Sequence, residues 1–375
     1  MNLQPLSLHR DRFESGKPTP FAIFDVGGRL LLARGHRFES MGQLEKLIDR
    51  DARVDAREFE DRASTIAQAR PEQLPAFWDE SMGEVGHLLR GAPGSDFTQT
   101  LDLASQPLMA LIERDPDLAI LQTVRAEAVQ GSATAYAARH AVHTATAACL
   151  AATRLGWSVR ERQCVLRTAL TMNISMAELQ NRLVTQASPV TTLQRAEIQS
   201  HPERSAAMLE MAGVTDTDWL DAVRQHHEED GGTGYPRRPA QVHAVAQLVH
   251  SADTFTAKFS PRLRRQPILA DAAARLQYQA GKGDAMTAAL IKEFGLYPPG
   301  CAVRLRSGEV GMVMRRGESA STPRVAVMSD RAGGVLAEPV IRDTAQALHA
   351  IAAVIPQAGL KLRVGLEKLI QAMAA

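Results

Sequence analysis

The feature that most constrains this chain is a run of about two hundred residues, from about Phe97 to Leu296, in which apolar residues recur at helical spacing. Strand-and-turn signals bracket that run on both sides. Ala-rich stretches such as Ala133–Leu155 and Ala270–Lys282 favour helix on propensity as well as on pattern. Thr191 stands three residues before Gln194, a capping box opening the helix that reaches His201, and Pro202 directly after that histidine predicts a bend or restart there. Before the helical run, Phe21–Asp25 and Arg29–Ala33 flank Val26-Gly27-Gly28, a hairpin signal. After it, Ala302–Arg306 and Val310–Met314 flank Ser307-Gly308, and Arg324–Met328 with Val335–Ala337 extend that hairpin into a meander. A last amphipathic helix is expected from about Asp343 to Ala374, interrupted at Pro356. The expected fold is mainly α, a helical bundle core with small β elements at both flanks (α+β overall). The segments are a β/α domain at 1–60, a helical connector at 61–130, a helical domain at 131–296, a β meander at 297–345 and a helical tail at 346–375.

Composition removes several function classes. A formal charge of +1 over 375 residues supplies no field for nucleic acid, so neither DNA nor RNA is an expected partner. No stretch reaches the length of a membrane span, and the first residues lack a basic segment followed by an apolar run, which predicts a cytoplasmic protein. Cys149, Cys164 and Cys301 form no Cys-x-x-Cys pair and read as reduced core thiols.

The string His226-His227-Glu228-Glu229-Asp230-Gly231-Gly232-Thr233-Gly234-Tyr235-Pro236 carries the densest chemistry. Adjacent imidazoles suit a transition metal, and the glycines let backbone approach a ligand closely. A surface turn with incidental histidines is the plainer reading of a bare His-His pair, and the full string outweighs it. His140 and His143 share a helix face, His201 ends a helical stretch, and Asp253 is a carboxylate in an apolar helix. Each alone is more often an ordinary core or surface residue.

In order and spacing these residues resemble the HD-GYP domain, a bacterial branch of the HD phosphohydrolases that hydrolyses cyclic di-GMP. The likeness runs from about Ala133 to Leu296. His140, His201-Pro202, His226–Pro236 and Ala252-Asp253 match the family's motifs. The resemblance implies that His201, His226 and His227 are terminal ligands of one metal, and that His140 and Asp253 serve a second. The departures fall on the namesake pair. Met172 stands where the family has histidine, Asn173 where it has the metal-bridging aspartate, Ser175 replaces a glycine, and Met176 replaces a phosphate-contacting lysine. Tyr136 occupies the place, one turn before His140, where some members have a glutamate ligand, and Asp230 arrives one residue early. A thioether is a soft ligand poorly matched to Fe(II) or Mn(II), and neutral Asn supplies no bridging charge. Two-metal hydrolysis needs both ions, so at most one divalent metal, Fe or Mn, is expected. His143 and His250, each one turn from a surviving ligand, are candidates to compensate.

The resulting expectation is a degenerate signalling protein of the cyclic di-GMP system, binding the nucleotide or a signalling partner protein without efficient hydrolysis. The alternative is an active metal-dependent phosphodiesterase with an altered site. The loop Gly232, Gly234, Tyr235 and Pro236, with Arg237 and the Arg262–Arg265 cluster, would form the ligand or partner surface. The basic residues are individually more ordinary as a solvated face. A homodimer is compatible with this reading.

Overall fold

The computed structural model describes residues 3–14, 16–55, 62–91, 93–94, 97–125, 136–260, 268–281, 283–356 and 365–374. The chain divides into two compact units, Met1–Ala69 and Arg70–Ala375.

In the first unit, β1 (Leu3–Pro5), β2 (Ile23–Phe24), β3 (Leu30–Leu32), α1 (Met41–Ile48), β4 (Arg53–Asp55) and α2 (Arg62–Gln68) follow one another. The strands form one sheet in the order β1-β4-β2-β3. The expected hairpin is β2–β3. Its turn is closed by the Asp25 carboxylate, which accepts from the backbone N–H groups of Gly27 and Arg29, each at 2.9 Å. Gly28 takes the left-handed conformation that this turn requires (φ +80). The core packs Leu6, Phe13, Phe21, Ile23, Phe38, Leu44 and Val54.

The second unit is helical and holds the candidate site. It runs through α3 (Leu74–Leu88), α4 (Phe97–Arg114), α5 (Pro116–Val124), α6 (Tyr136–Arg154), α7 (Val159–Thr171), α8 (Ala177–Thr185), α9 (Thr192–Met211), α10 (Thr217–Gln225), α11 (Ala244–Thr256), α12 (Ala270–Ala280) and α13 (Ala285–Phe294). Helix α6 is buried over nearly its whole length. Its alanines let α7 and α11 pack closely against it, so small side chains rather than an amphipathic stripe make it the central helix. The Thr191–Gln194 capping box forms in both directions.

Helix α9 continues through Pro202 rather than restarting there. Proline lacks the N–H that would reach the Ile198 carbonyl, and the His201 ring supplies the missing donor from Nδ1 at 2.5 Å.

After α13 come β5 (Ala302–Leu305), β6 (Val310–Arg315), β7 (Arg324–Ser329), β8 (Val335–Asp343), β9 (Ile351–Ile355) and α14 (Leu366–Ala374). The five strands make an antiparallel sheet in the order β8-β7-β6-β5-β9. The sheet is tied to the helices of its unit. Arg315 pairs with Asp115, and Arg316 bridges Asp117 at 2.5 Å and Glu293 at 2.6 Å. The helix expected from Asp343 is corrected. Residues Ala347–His349 make a 3-10 turn, and Ile351–Ile355 is a strand paired with β5. Ile351, Val354 and Ile355 are β-branched, and the open edge of β5 offers ladder hydrogen bonds, so pairing overrides the helix propensity of the intervening alanines.

Candidate metal centre

Three histidines converge from two neighbouring helices. His201 lies within α9, and His226 and His227 follow the last turn of α10. Helix α10 is set by the Asp216 cap on the Trp219 N–H and by Trp219 itself, wholly buried, whose indole N–H donates to Thr171 Oγ1 at 3.0 Å. His201 donates from Nδ1 to the Ile198 carbonyl, and His226 donates from Nδ1 to the Val223 carbonyl at 2.7 Å. A carbonyl only accepts, so both rings carry their proton on Nδ1 and present a bare lone pair at Nε2. Those two Nε2 atoms face each other at 3.0 Å. Two lone pairs at that distance repel unless a cation lies against both, and the ring-to-carbonyl bond is the usual way a protein orients a metal-binding histidine. One nitrogen from each of His201, His226 and His227 falls within 4.8 Å of the others. The donor set fits a divalent transition metal.

Burial holds these rings neutral. It lowers His201 to about 4 and His227 to about 3, and it pushes His226 well below the ordinary imidazole value. His143, buried on α6, falls to about 3, by burial first and then by Arg139 and His140. The unfolded chain therefore takes up protons first as pH falls below about 6.5, while the native state stays unprotonated. The stability these groups contribute is present above that pH and is lost on descent toward their folded values. Chelator-treated protein is expected to show a falling unfolding midpoint between pH 7 and pH 5. Replacing His201, His226 and His227 together by Gln should flatten that slope, and an unchanged slope would contradict the assignment.

The neighbouring His140–Asp253 pair is built differently. His140 Nε2 and Asp253 Oδ1 lie 2.5 Å apart across α6 and α11. Burial would raise the Asp253 carboxyl, but His140 in contact, with His227 and His226 beyond, holds it well below the usual range. Tyr136 stacks on the His140 ring (5.7 Å between centroids, 10° between planes), and among the described residues the buried His140 Nδ1 has no hydrogen-bond partner. Met172 is wholly buried at the end of α7, Asn173 is 8% exposed with its Oδ1 unpartnered among the described residues, and Met176 is buried. Ser175 latches this segment to α9, its Oγ donating to the His201 carbonyl (3.1 Å) and lying 2.9 Å from Ser205 Oγ. His250 donates from Nδ1 to the His226 carbonyl at 2.8 Å, which places it behind the cluster.

The glycine-rich loop folds back onto the histidines. Tyr235 stacks on His227 (4.7 Å, 20°), and its N–H donates to the His227 carbonyl at 3.1 Å. Glu228, 2% exposed, accepts from the N–H groups of Arg237 (2.5 Å) and Arg238 (3.1 Å) and so closes the loop. Asp230 accepts from Val242 N–H and Gln247 Nε2, each at 2.9 Å, and ties the loop to the start of α11. Gly232 is left-handed (φ +77), and Pro236 is exposed beside Tyr235. At Gly234 an added Cβ would sit 2.4 Å from the His227 carbonyl oxygen. Gly234→Ala is expected to cost about 1–3 kcal/mol and to lift the loop, read as faster amide exchange at Tyr235, Arg237 and Arg238. Unchanged exchange would rule that out. Arg237 is engaged by Glu203 in a two-pronged ion pair, one contact at 2.8 Å. Arg262 and the rest of its cluster lie outside the described residues.

Sequence reading singles out the histidines but not what aims them. Glu228 stands in the sequence motif without its clamping role, and Glu203, Ser205 and the carbonyls of Ile198 and Val223 are not singled out there. Pro202 after His201 is the one signal that could have announced a freed carbonyl.

The family model described as HD domain matches residues 111–285. A cyclic di-GMP phosphodiesterase of Pseudomonas aeruginosa is 34% identical over 135 residues, 35% of this chain. The chain spans about a third (33%) of the length of that relative. Among solved structures, an HDG"Y"P protein from Bdellovibrio bacteriovorus aligns with TM-score 0.48 at 15% identity, covering 75% of this chain and 96% of that one. Among the described residues no helix is long and apolar enough to cross a membrane.

Proposed function

We propose, from the match of residues 111–285 to the HD domain family model and from the clustering of His201, His226 and His227, that this protein is a degenerate member of the HD-GYP class. It holds one divalent metal, Fe or Mn, at His201, His226 and His227, and binds cyclic di-GMP or a related nucleotide without efficient hydrolysis. The observation that carries the reading is the asymmetry of the site. On one side two histidines are locked by carbonyls with their lone pairs converging. On the other, His140 and Asp253 hydrogen-bond to each other, and wholly buried Met172 and neutral Asn173 hold the sequence positions of the pattern's namesake pair.

A bound ion at the histidines supplies a positive charge for a phosphate oxygen. The chain's own residues exclude water around it and keep the imidazoles neutral and aimed. What the site lacks for turnover is a carboxylate at position 173 to bridge a second ion and a cation at position 176 to meet the developing phosphate charge. The glycine-rich loop remains formed beside the cluster, which suits a surface for ligand or protein partner. Manganese-loaded protein titrated with cyclic di-GMP in a calorimeter is expected to show saturable binding. The same sample analysed by chromatography after overnight incubation should contain the cyclic nucleotide intact. Accumulation of the linear dinucleotide or GMP in proportion to enzyme, abolished by chelator, would instead establish an active phosphodiesterase with an altered site.

A further inference from the structure

The three clustered histidines are not oriented in the same way. His201 and His226 each have Nδ1 anchored to a carbonyl. Among the described residues the His227 side chain makes no hydrogen bond. Its ring is fixed by faces instead: Tyr235 stacks nearly parallel on it at 4.7 Å, and His250 meets it edge-on at 5.9 Å. Tyr235 is itself held by backbone. Its N–H bonds the His227 carbonyl, Gly234 permits the close approach, and the buried Glu228 carboxylate clamps the chain two and three residues further on.

We propose that Tyr235 is a positioning residue for the third histidine, its ring face substituting for the carbonyl anchor that His201 and His226 have. This rests on the single-metal reading above. A stacked ring restricts rotation of the imidazole about its last side-chain torsion, which is broad and only twofold when nothing constrains it. It also confines the ring nitrogen that lies within 4.8 Å of a nitrogen from each of the other two histidines. Groups that orient a metal ligand from behind typically matter 10- to 100-fold in metal affinity. Because the aromatic face rather than the hydroxyl does the orienting, Tyr235→Phe should preserve the function and Tyr235→Ala should lose it.

The test uses the full chain in two arms. In the first, Mn²⁺ is titrated into chelator-stripped wild type, Tyr235→Phe and Tyr235→Ala. The expected result is affinity within about threefold of wild type for Phe and about 10- to 100-fold weaker for Ala. In the second, histidine ring signals are followed by nuclear magnetic resonance in the metal-free proteins. Loss of the stacked ring in Tyr235→Ala should move the His227 ring protons downfield while those of His201 and His226 hold, and Tyr235→Phe should leave all three in place. Equal weakening in Phe and Ala would overturn the proposal, since the hydroxyl would then be the working group. His227 signals indifferent to Tyr235→Ala would overturn it as well. If wild type takes no Mn²⁺, the single-metal reading fails on its own, and the ring signals still decide whether Tyr235 sets His227.

Discussion

Met172→His with Asn173→Asp is expected to convert this protein from one bound metal to two and to raise cyclic di-GMP hydrolysis by about 10³-fold or more. Both positions lie where α7 ends and the chain turns into the segment latched to α9 by Ser175. The restored pair would sit in the segment that Ser175 ties to the His201 carbonyl. An aspartate at 173 brings a full negative charge into a site where the present residue is 8% exposed. That charge is costly alone and favourable only with cations beside it, so the variant should be less stable than wild type when metal-free and more stable when loaded. A second ion would have to compete with the 2.5 Å hydrogen bond between His140 and Asp253, since the HD-GYP pattern gives both to it as ligands. Metal stoichiometry and product formation on one preparation check this. A well-folded double variant with one metal and no turnover would mean that the His140–Asp253 pair, not the missing ligands, closes the second position.

His226→Ala is expected to abolish metal binding, and with it the stabilisation that metal gives. His226 is wholly buried between the other two histidines, and its lone pair faces that of His201. Its removal leaves two nitrogens, one of them held only by ring contacts. At a metal concentration a hundredfold above the dissociation constant, wild type gains about 2.7 kcal/mol that the variant should lack entirely. Without metal the penalty is offset, because the same truncation relieves the repulsion between the two Nε2 lone pairs. Thermal unfolding of both proteins with Mn²⁺ and with chelator separates these effects. A metal-dependent rise in midpoint that survives in His226→Ala would place the metal elsewhere.

Much of this was legible in residue order, for physical reasons that differ by element. The β2–β3 hairpin and the β5–β6 hairpin are short-range, written in alternation around Gly28 and Gly308, and both formed. The α9 start was written in Thr191 and Gln194. The strand at Ile351–Ile355 was not legible as such. Its alanines favour helix, and only the partner β5, some fifty residues earlier, makes extended backbone the better solution. The same holds within the site. The histidines announce themselves by type and spacing, whereas the tautomers depend on which carbonyl each ring meets. The helix through Pro202 and the lock at Ile198 are two consequences of one missing N–H. Arg237 read as part of the ligand or partner surface, and its pairing with Glu203, thirty-four residues away in sequence, appears only in three dimensions.

The most direct test of the central claim is the metal content of full-length protein purified without oxygen or chelators, measured by plasma mass spectrometry beside the His201→Ala, His226→Ala, His227→Ala triple variant. About one equivalent of Fe or Mn per chain, absent from the triple variant, is the predicted result. Two equivalents per chain in the wild type, or metal retained by the triple variant, would contradict it.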